Sequence, residues 1–487
     1  MPPSAAAHQT PVPPWPPVLA LALLLLGSRL LLIALFGNAT PSWDQWEAEA
    51  NQLYAPLITG QLGWRDLLAP CNEHRIFATR MLDLLLLTLN NGVWNCLLQM
   101  VAGACLQALA LGYLLHMLRA ACPPERRPLF LGLALALLLI PFGWENVLWG
   151  FQSQFYFFLL FSFLFIGAAT RLQPFSGLWW LGLLCGPLSV LSLAGGVITL
   201  AVGALLIGAR ALRADQRAVL PVAAALLGLA LLAYAATPVT RLSEPYRAHS
   251  PAEFLAALNS VMSWPLLPFS CVVIQWPLLR FLFQQGRRPP PEGDPSWLLF
   301  GLGLWLLAQF AGIAYSRAPL VLSSRYQDIL VLGLVLNVLC LIRQFRPARF
   351  RYRFYQLWLI VVVLGICLEA PDLIAAISYR GSSGLAQEAR LRDFLAAPQP
   401  ALLTGRPAYD IPFASTTQLQ LFLENPAIRQ VLPGNILPAN EGRQPWLLRQ
   451  LVRHLGALAV LSLLAGLGVL LRRRPQWLAT GQTKGAP

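Results

Sequence analysis

Residues 17–36 read Pro17-Val-Leu-Ala-Leu-Ala-Leu-Leu-Leu-Leu-Gly-Ser-Arg29-Leu-Leu-Leu-Ile-Ala-Leu-Phe36, apolar but for Ser28 and Arg29. At about 1.5 Å per residue such a run reaches ~30 Å as a helix, the thickness of a bilayer's hydrocarbon core. It predicts a membrane span. It does not read as a cleaved leader: residues 1–16 carry no basic n-region, and Arg29 interrupts the apolar stretch. Residues 1–16 are Pro-rich and predicted to be unstructured. Outward from this run, apolar segments recur near 93–118, 128–142, 153–170, 177–191, 194–209, 218–236, 264–283, 296–314, 327–342, 354–370 and 454–471. The pair 177–209 is one long run broken at Ala194-Gly195-Gly196, which leaves one or two spans open there. Segment 76–90 is short and holds Arg80 and Asp83, so it reads as an interfacial or re-entrant helix.

The whole chain of 487 residues fits this pattern. Hydrophobic residues make up 57% and charged residues 11%, against roughly a quarter charged in soluble domains. That excludes a soluble enzyme and a disordered chain. The expected fold is an all-α polytopic membrane protein of about twelve transmembrane helices.

The net charge of +14 would suggest nucleic acid in a soluble protein. Here it is topological. Alternate loops, from Arg119, Arg126 and Arg127 through Arg343–Arg353 to Arg472–Arg474 and Lys484, hold 18 basic and four acidic residues, and the other set holds 15 and 17. The basic set is placed in the cytoplasm together with both termini, and no nucleic-acid partner is expected. The eight cysteines form no CxxC and the five histidines are scattered, so neither a disulfide framework nor a structural metal is indicated. The expected organisation is a tail 1–16, a core 17–370 with a first outer loop 37–75, an outer cap 371–453, a last span 454–471 and a cytoplasmic tail 472–487. The cap reads as a small α/β insertion, with a helix near 385–396, a strand near 401–404 and a helix near 416–424.

Chemistry is concentrated on the outer side. In Ser42-Trp-Asp44-Gln-Trp-Glu47, Ser42 and Gln45 form a capping box that starts a helix. Trp43, Trp46, Ala50, Leu53, Tyr54 and Leu57 then share one stripe, which predicts a helix lying flat on the membrane, with Asp44, Glu47 and Asn51 on one flank. Such acids also suit a plain interfacial helix, where they complement the helix dipole. Glu73, His74, Arg75 and Arg80 crowd together where the chain re-enters the membrane, and Arg80 can pair with Asp83. A later loop places Glu145, Asn146, Gln152 and Gln154 beside Trp144 and Trp149, and loop 237–263 holds Arg241, Glu244 and Tyr246. Arg317 and Arg325 bracket an outer turn that continues into Tyr326. Guanidinium forks suit phosphate, although arginines there would equally anchor lipid headgroups.

This arrangement resembles the GT-C superfamily of integral membrane glycosyltransferases, in which a catalytic acid on a long first outer loop takes sugar from a polyprenyl-phosphate donor. The segments that carry the resemblance are Ser42–Glu47, Asn72-Glu-His-Arg75, Trp149–Gln154, Ser324-Arg-Tyr326 and Glu424–Pro433. The resemblance implies catalytic Asp44 and Glu47. It implies substrate contacts from Glu73, His74, Arg75, Arg80, Glu145, Gln152, Arg317, Arg325 and Tyr326. Asp44 is followed by Glu47 and Glu49 rather than by an Asp-Asp or Asp-x-Asp pair, so no cofactor is assigned and a divalent metal is not indicated. The partners it implies are a lipid-linked sugar donor, a glycan, lipid or protein acceptor, and membrane lipids. An arginine-rich, lysine-poor composition suits a GC-rich bacterial genome, which makes the membrane the bacterial inner membrane and the outer face periplasmic. The alternatives are a transporter or lipid-linked-sugar flippase, an O-antigen polymerase or ligase, and a non-catalytic assembly subunit.

Overall fold

The structure is a computed structural model that describes residues 16–238, 243–344, 349–407 and 409–471. Residues 1–15, Arg241, Arg346 and the tail 472–487 lie outside the described residues. Within the described residues the chain is helical and has no β-strand; its one β-type pairing is the isolated bridge between Cys71 and His74. Among the described residues eight helices are long and apolar enough to cross a membrane, or nine if Trp446–Arg453 and Leu455–Leu471, bent by 69°, form one broken span. The protein is a polytopic helical membrane protein.

The expected count of about twelve differs at four segments, each for a local reason. Segments 128–142 and 177–191 appear as Arg127–Leu139 and Gly177–Val190, of 13 and 14 residues. Each rises only about 20 Å, short of the hydrocarbon core. Segment 264–283 falls in a broken stretch, with Pro251–Ser263 followed by Cys271–Ile274 and Trp276–Arg287. Pro265 and Pro268 stand in the break, where they deny the helix its backbone donors. Segment 454–471 is one limb of the bent pair. The run 177–209 is two helices, Gly177–Val190 and Gly196–Arg213. A Cβ at Gly196 would lie 2.2 Å from the Ser189 carbonyl carbon, so the tight reversal requires glycine.

The first and last helices pack closely. Ser462 Oγ donates to the Leu23 carbonyl at 2.8 Å, and a Cβ on Gly466 would meet Leu24 and Ala20 at 2.8–2.9 Å. Arg29, buried in the first span, donates to the carbonyls of Leu138 and Leu139 and to Gln107 Oε1. Those carbonyls end the Arg127–Leu139 helix, where no intrahelical donor remains. An ionisable group at membrane depth is thus spent on capping a neighbouring helix.

The cap departs from the α/β expectation. The anticipated strand at 401–404 is a 3-10 turn, Pro400–Leu402, followed by further turn residues. The anticipated helix 385–396 is the far end of a 48-residue helix, Arg349–Ala396, that continues through Pro371. The expected boundary between residues 370 and 371 therefore lies inside one element. The helix expected near 416–424 is present as Thr416–Glu424, with the Ser415 hydroxyl accepting from the Gln418 amide. It packs Leu419, Phe422 and Leu423, with Ile428 and Val431, against Trp46, Leu53, Tyr54 and Trp94. Two backbone bonds tie this layer to the first loop and its neighbour: Trp43 N donates to the Pro412 carbonyl and Trp94 N to the Val431 carbonyl, each at 2.7 Å.

Candidate functional site

Three features aim the acid of the first loop. Trp43 sits in the left-handed region at φ 48°, held by its bond to Pro412. Helical structure starts at Asp44. The Ser42 amide donates to Gln45 Oε1 at 3.1 Å, which is the backbone half of the expected capping box. From Trp46 to Tyr54 the helix then widens into a π-helix. Wider turns change which side chains share a face. Trp46, Ala50, Leu53 and Tyr54 are buried within the protein, while Trp43 and Leu57 are exposed. The expected membrane-facing stripe is in large part an internal packing face. Glu47 stays with Asn51, accepting from its Nδ2 at 3.1 Å and from Gln52 at 3.3 Å. Asp44 instead lines a cavity that Glu47 does not reach.

That cavity has a volume of about 620 Å³. Six separated stretches wall it: 42–44, 72–73, 144–149, 243–246, 317–326 and 379–387. Six aromatic rings face it, those of Trp43, Trp144, Trp149, Tyr246, Tyr326 and Tyr379. Its charged lining is balanced, with Asp44, Glu73 and Glu145 against Arg317, Arg325 and Arg380. Two ion pairs consume most of it. Arg317 Nη2 binds Glu73 Oε1, and Arg325 Nε lies 3.6 Å from Glu145 Oε2. Glu145 Oε2 also accepts from the hydroxyls of Ser323 and Ser324 at 3.2 and 2.8 Å. Arg325 lies over the Trp149 ring at 5.4 Å. Among the described residues no hydrogen bond or ion pair reaches the Asp44 carboxylate or the Arg380 guanidinium.

Burial pushes the Asp44 carboxyl above the ordinary carboxylate range, against the pull of the Arg325 guanidinium and His74. Burial pushes His74 the other way, down to about 4. The ring is therefore neutral near pH 7. Its Nδ1 accepts from the Ala194 amide at 3.3 Å, which leaves the proton on Nε2, 3.7 Å from Glu73 Oε1. A neutral His74 at that distance makes neither a hydrogen bond nor an ion pair with Glu73.

The remaining anticipated residues lie elsewhere. Arg75 borders a second, apolar groove of about 290 Å³ walled by Leu191, Val197, Leu229 and Ala233. It donates to the carbonyls of Leu68 and Ala236. Glu73 lines both spaces. Arg80 is buried away from the cavity and donates to the carbonyls of Asp66 and Ala69 and to Gln52 Oε1. It makes no ion pair with Asp83, because its guanidinium is taken by the loop before its own helix. Gln152 is buried and accepts from Gln154. Behind the site Gln99 Nε2 donates to Glu49 Oε2 at 2.6 Å and to Asp83 Oδ1 at 2.8 Å. Glu49 also accepts from Gln45 and Tyr54, and burial raises it to about 7 all the same.

The sequence reading did not single out Arg380, Tyr379, Ser383 or Gln387. Tyr379, Ser383 and Gln387 recur every fourth residue, with Arg380 beside them, along a helix that is otherwise largely apolar up to that point. That polar stripe was the available signal. Asn146, read only as a loop amide, donates to Asp328 Oδ2 at 2.8 Å and to the Arg325 carbonyl at 2.9 Å. It thereby fixes the Trp144–Val147 turn against the helix that carries Arg325. Gly143 lies against the same carboxylate, where a Cβ would fall 2.4 Å from Asp328 Cγ. Among the described residues no group of three or more His, Cys, Asp or Glu is placed to hold a metal ion. No family model, curated protein or solved structure matches this chain.

Proposed function

We propose that the protein is a membrane glycosyltransferase resembling the GT-C superfamily, with both termini in the cytoplasm of a bacterium. It moves a sugar from a polyprenyl-phosphate donor to a glycan, lipid or protein acceptor at the periplasmic face. The observation that carries this reading is the cavity itself. A half-buried carboxylate, Asp44, with no partner among the described residues, faces a space lined by six aromatic rings and three guanidiniums, and Glu73 of that space also lines an apolar groove. Aromatic faces suit the apolar faces of sugar rings, and the groove suits an isoprenoid chain.

In this mechanism Asp44 takes the proton of the acceptor hydroxyl. The acceptor oxygen bonds to the anomeric carbon with inversion as the bond from that carbon to the phosphate oxygen breaks. The electron pair leaves on the polyprenyl phosphate, whose charge the cationic lining stabilises. A raised Asp44 is a stronger base than an ordinary carboxylate, which favours the transfer. The two ion pairs hold the walls in register. Glu47 acts through the shape of the first loop rather than by contact with substrate.

The test uses the full-length protein in proteoliposomes with a radiolabelled polyprenyl-phosphate sugar and a cell-envelope extract as acceptor. Asp44→Asn should lower transfer by about 10²–10⁴-fold while the protein remains monodisperse. Undiminished transfer removes Asp44 from the chemistry. The shared wall at Glu73 also admits a second reading, a flippase for a lipid-linked sugar. That reading expects sugar-lipid to cross the bilayer at an undiminished rate in the Asp44→Asn protein.

A further inference from the structure

The charged lining of the cavity can be paired off. Arg317 is committed to Glu73, and Arg325 lies over the Trp149 face beside Glu145, which also accepts from two serine hydroxyls. A guanidinium already neutralised by a carboxylate offers little net charge to an incoming anion, and recruiting it would strand its acid beside that anion. Among the described residues that line the cavity, two charged groups remain over, one of each sign, Asp44 and Arg380. Glu145 acts on Arg380 electrostatically without forming an ion pair with it. Arg380 stands on the Arg349–Ala396 helix with Tyr379, Ser383 and Gln387 around it, all of them lining the cavity. The face that carries this guanidinium is thus also rich in hydrogen-bonding groups.

We propose that Arg380 is the residue that binds the anionic group of the ligand, a phosphate ester, and that Arg317 and Arg325 build the walls. This rests on the glycosyltransferase reading and assigns the leaving-group grip to a different helix from the one that the arginines of the 317–326 turn suggest. A planar fork facing a cavity can hold two phosphate oxygens at once.

The experiment measures binding to the full-length protein in detergent by tryptophan fluorescence, since Trp43, Trp144 and Trp149 line the cavity. Inorganic phosphate, farnesyl phosphate and uncharged farnesol serve as probes. Arg380→Gln should weaken both phosphates on the order of 10- to 100-fold and leave farnesol unchanged. Arg380→Lys, which keeps the charge and loses the fork, should fall between. The charge-neutral double variant Glu145→Gln/Arg325→Gln should weaken both phosphates less than Arg380→Gln does, because it removes a pair and no net charge.

Equal binding by Arg380→Gln overturns the proposal, as does a wild-type protein that binds neither phosphate. A larger loss in the double variant than in Arg380→Gln also overturns it. If farnesyl phosphate binds no tighter than inorganic phosphate and both depend on Arg380, the anion site stands and the isoprenoid-carrier reading falls. Should Arg380→Gln aggregate, Arg380→Lys and the double variant still decide between the two helices.

Discussion

Asp44 and Glu47 are three residues apart and chemically alike, yet only Asp44 lines the cavity in which the proposed transfer would need a base. The difference lies in their partners. Glu47 is satisfied by two amides, whereas half-buried Asp44 has no donor aimed at it among the described residues. A general base must be ionised to act, and desolvation has raised the pH at which Asp44 ionises. The acid limb of the pH–rate profile is therefore predicted to lie above the ordinary Asp value of 3.8. Placing a neutral amide at Glu47 should leave that limb where it is. A limb at the ordinary value, or one that moves with Glu47→Gln, assigns the base elsewhere. The residue types of the site were legible in the sequence, since Asp44, Glu73, Glu145, Arg317, Arg325 and Tyr326 all face one cavity. Their pairing was not legible. Which arginine meets which acid depends on how helices far apart in the chain come together, and that consumed the two arginines that looked most available.

At the scale of elements, two local departures decided where the sequence reading held. Pro371 reads as a helix end, because proline removes a backbone donor and crowds the preceding turn. The helix continues through it, however, and carries Arg380 out of the expected cap and into the site. The π-helix at Trp46–Tyr54 is equally silent in a pattern read at 100° per residue. It turns the aromatic stripe inward and sends Glu49 into the buried cluster with Gln99 and Asp83.

That cluster has a thermodynamic signature. Glu49 is raised from 4.5 to about 7 in the folded protein, so the folded state holds a proton that the unfolded chain has released. Its contribution falls as pH rises through that window and levels off above it. His74, lowered from 6.5 to about 4, works oppositely: stability is lost as pH falls below 6.5, until about 4. Glu49→Gln should remove the first slope alone. The difference in detergent Tm between Glu49→Gln and the unmodified protein is predicted to grow from pH 4.5 to about 7 and then stay flat. A difference independent of pH would mean that Glu49 does not carry this proton.

At the scale of the whole molecule, apolar blocks and the alternation of basic loops announced a polytopic helical membrane protein. Short helices and prolines made the count of spans less legible, since Arg127–Leu139 and Gly177–Val190 are too short to cross alone. The account's central claim is that all six walls of the cavity belong to the exoplasmic side, where a lipid-phosphate sugar and its acceptor would meet. Sided labelling tests this directly. In a chain whose eight cysteines are replaced, single cysteines are placed at Trp43 and at Leu320, two exposed cavity residues from different stretches. Intact cells are then treated with a membrane-impermeant maleimide. The account predicts that both positions react without permeabilisation; reaction only after the cytosol is opened would contradict it.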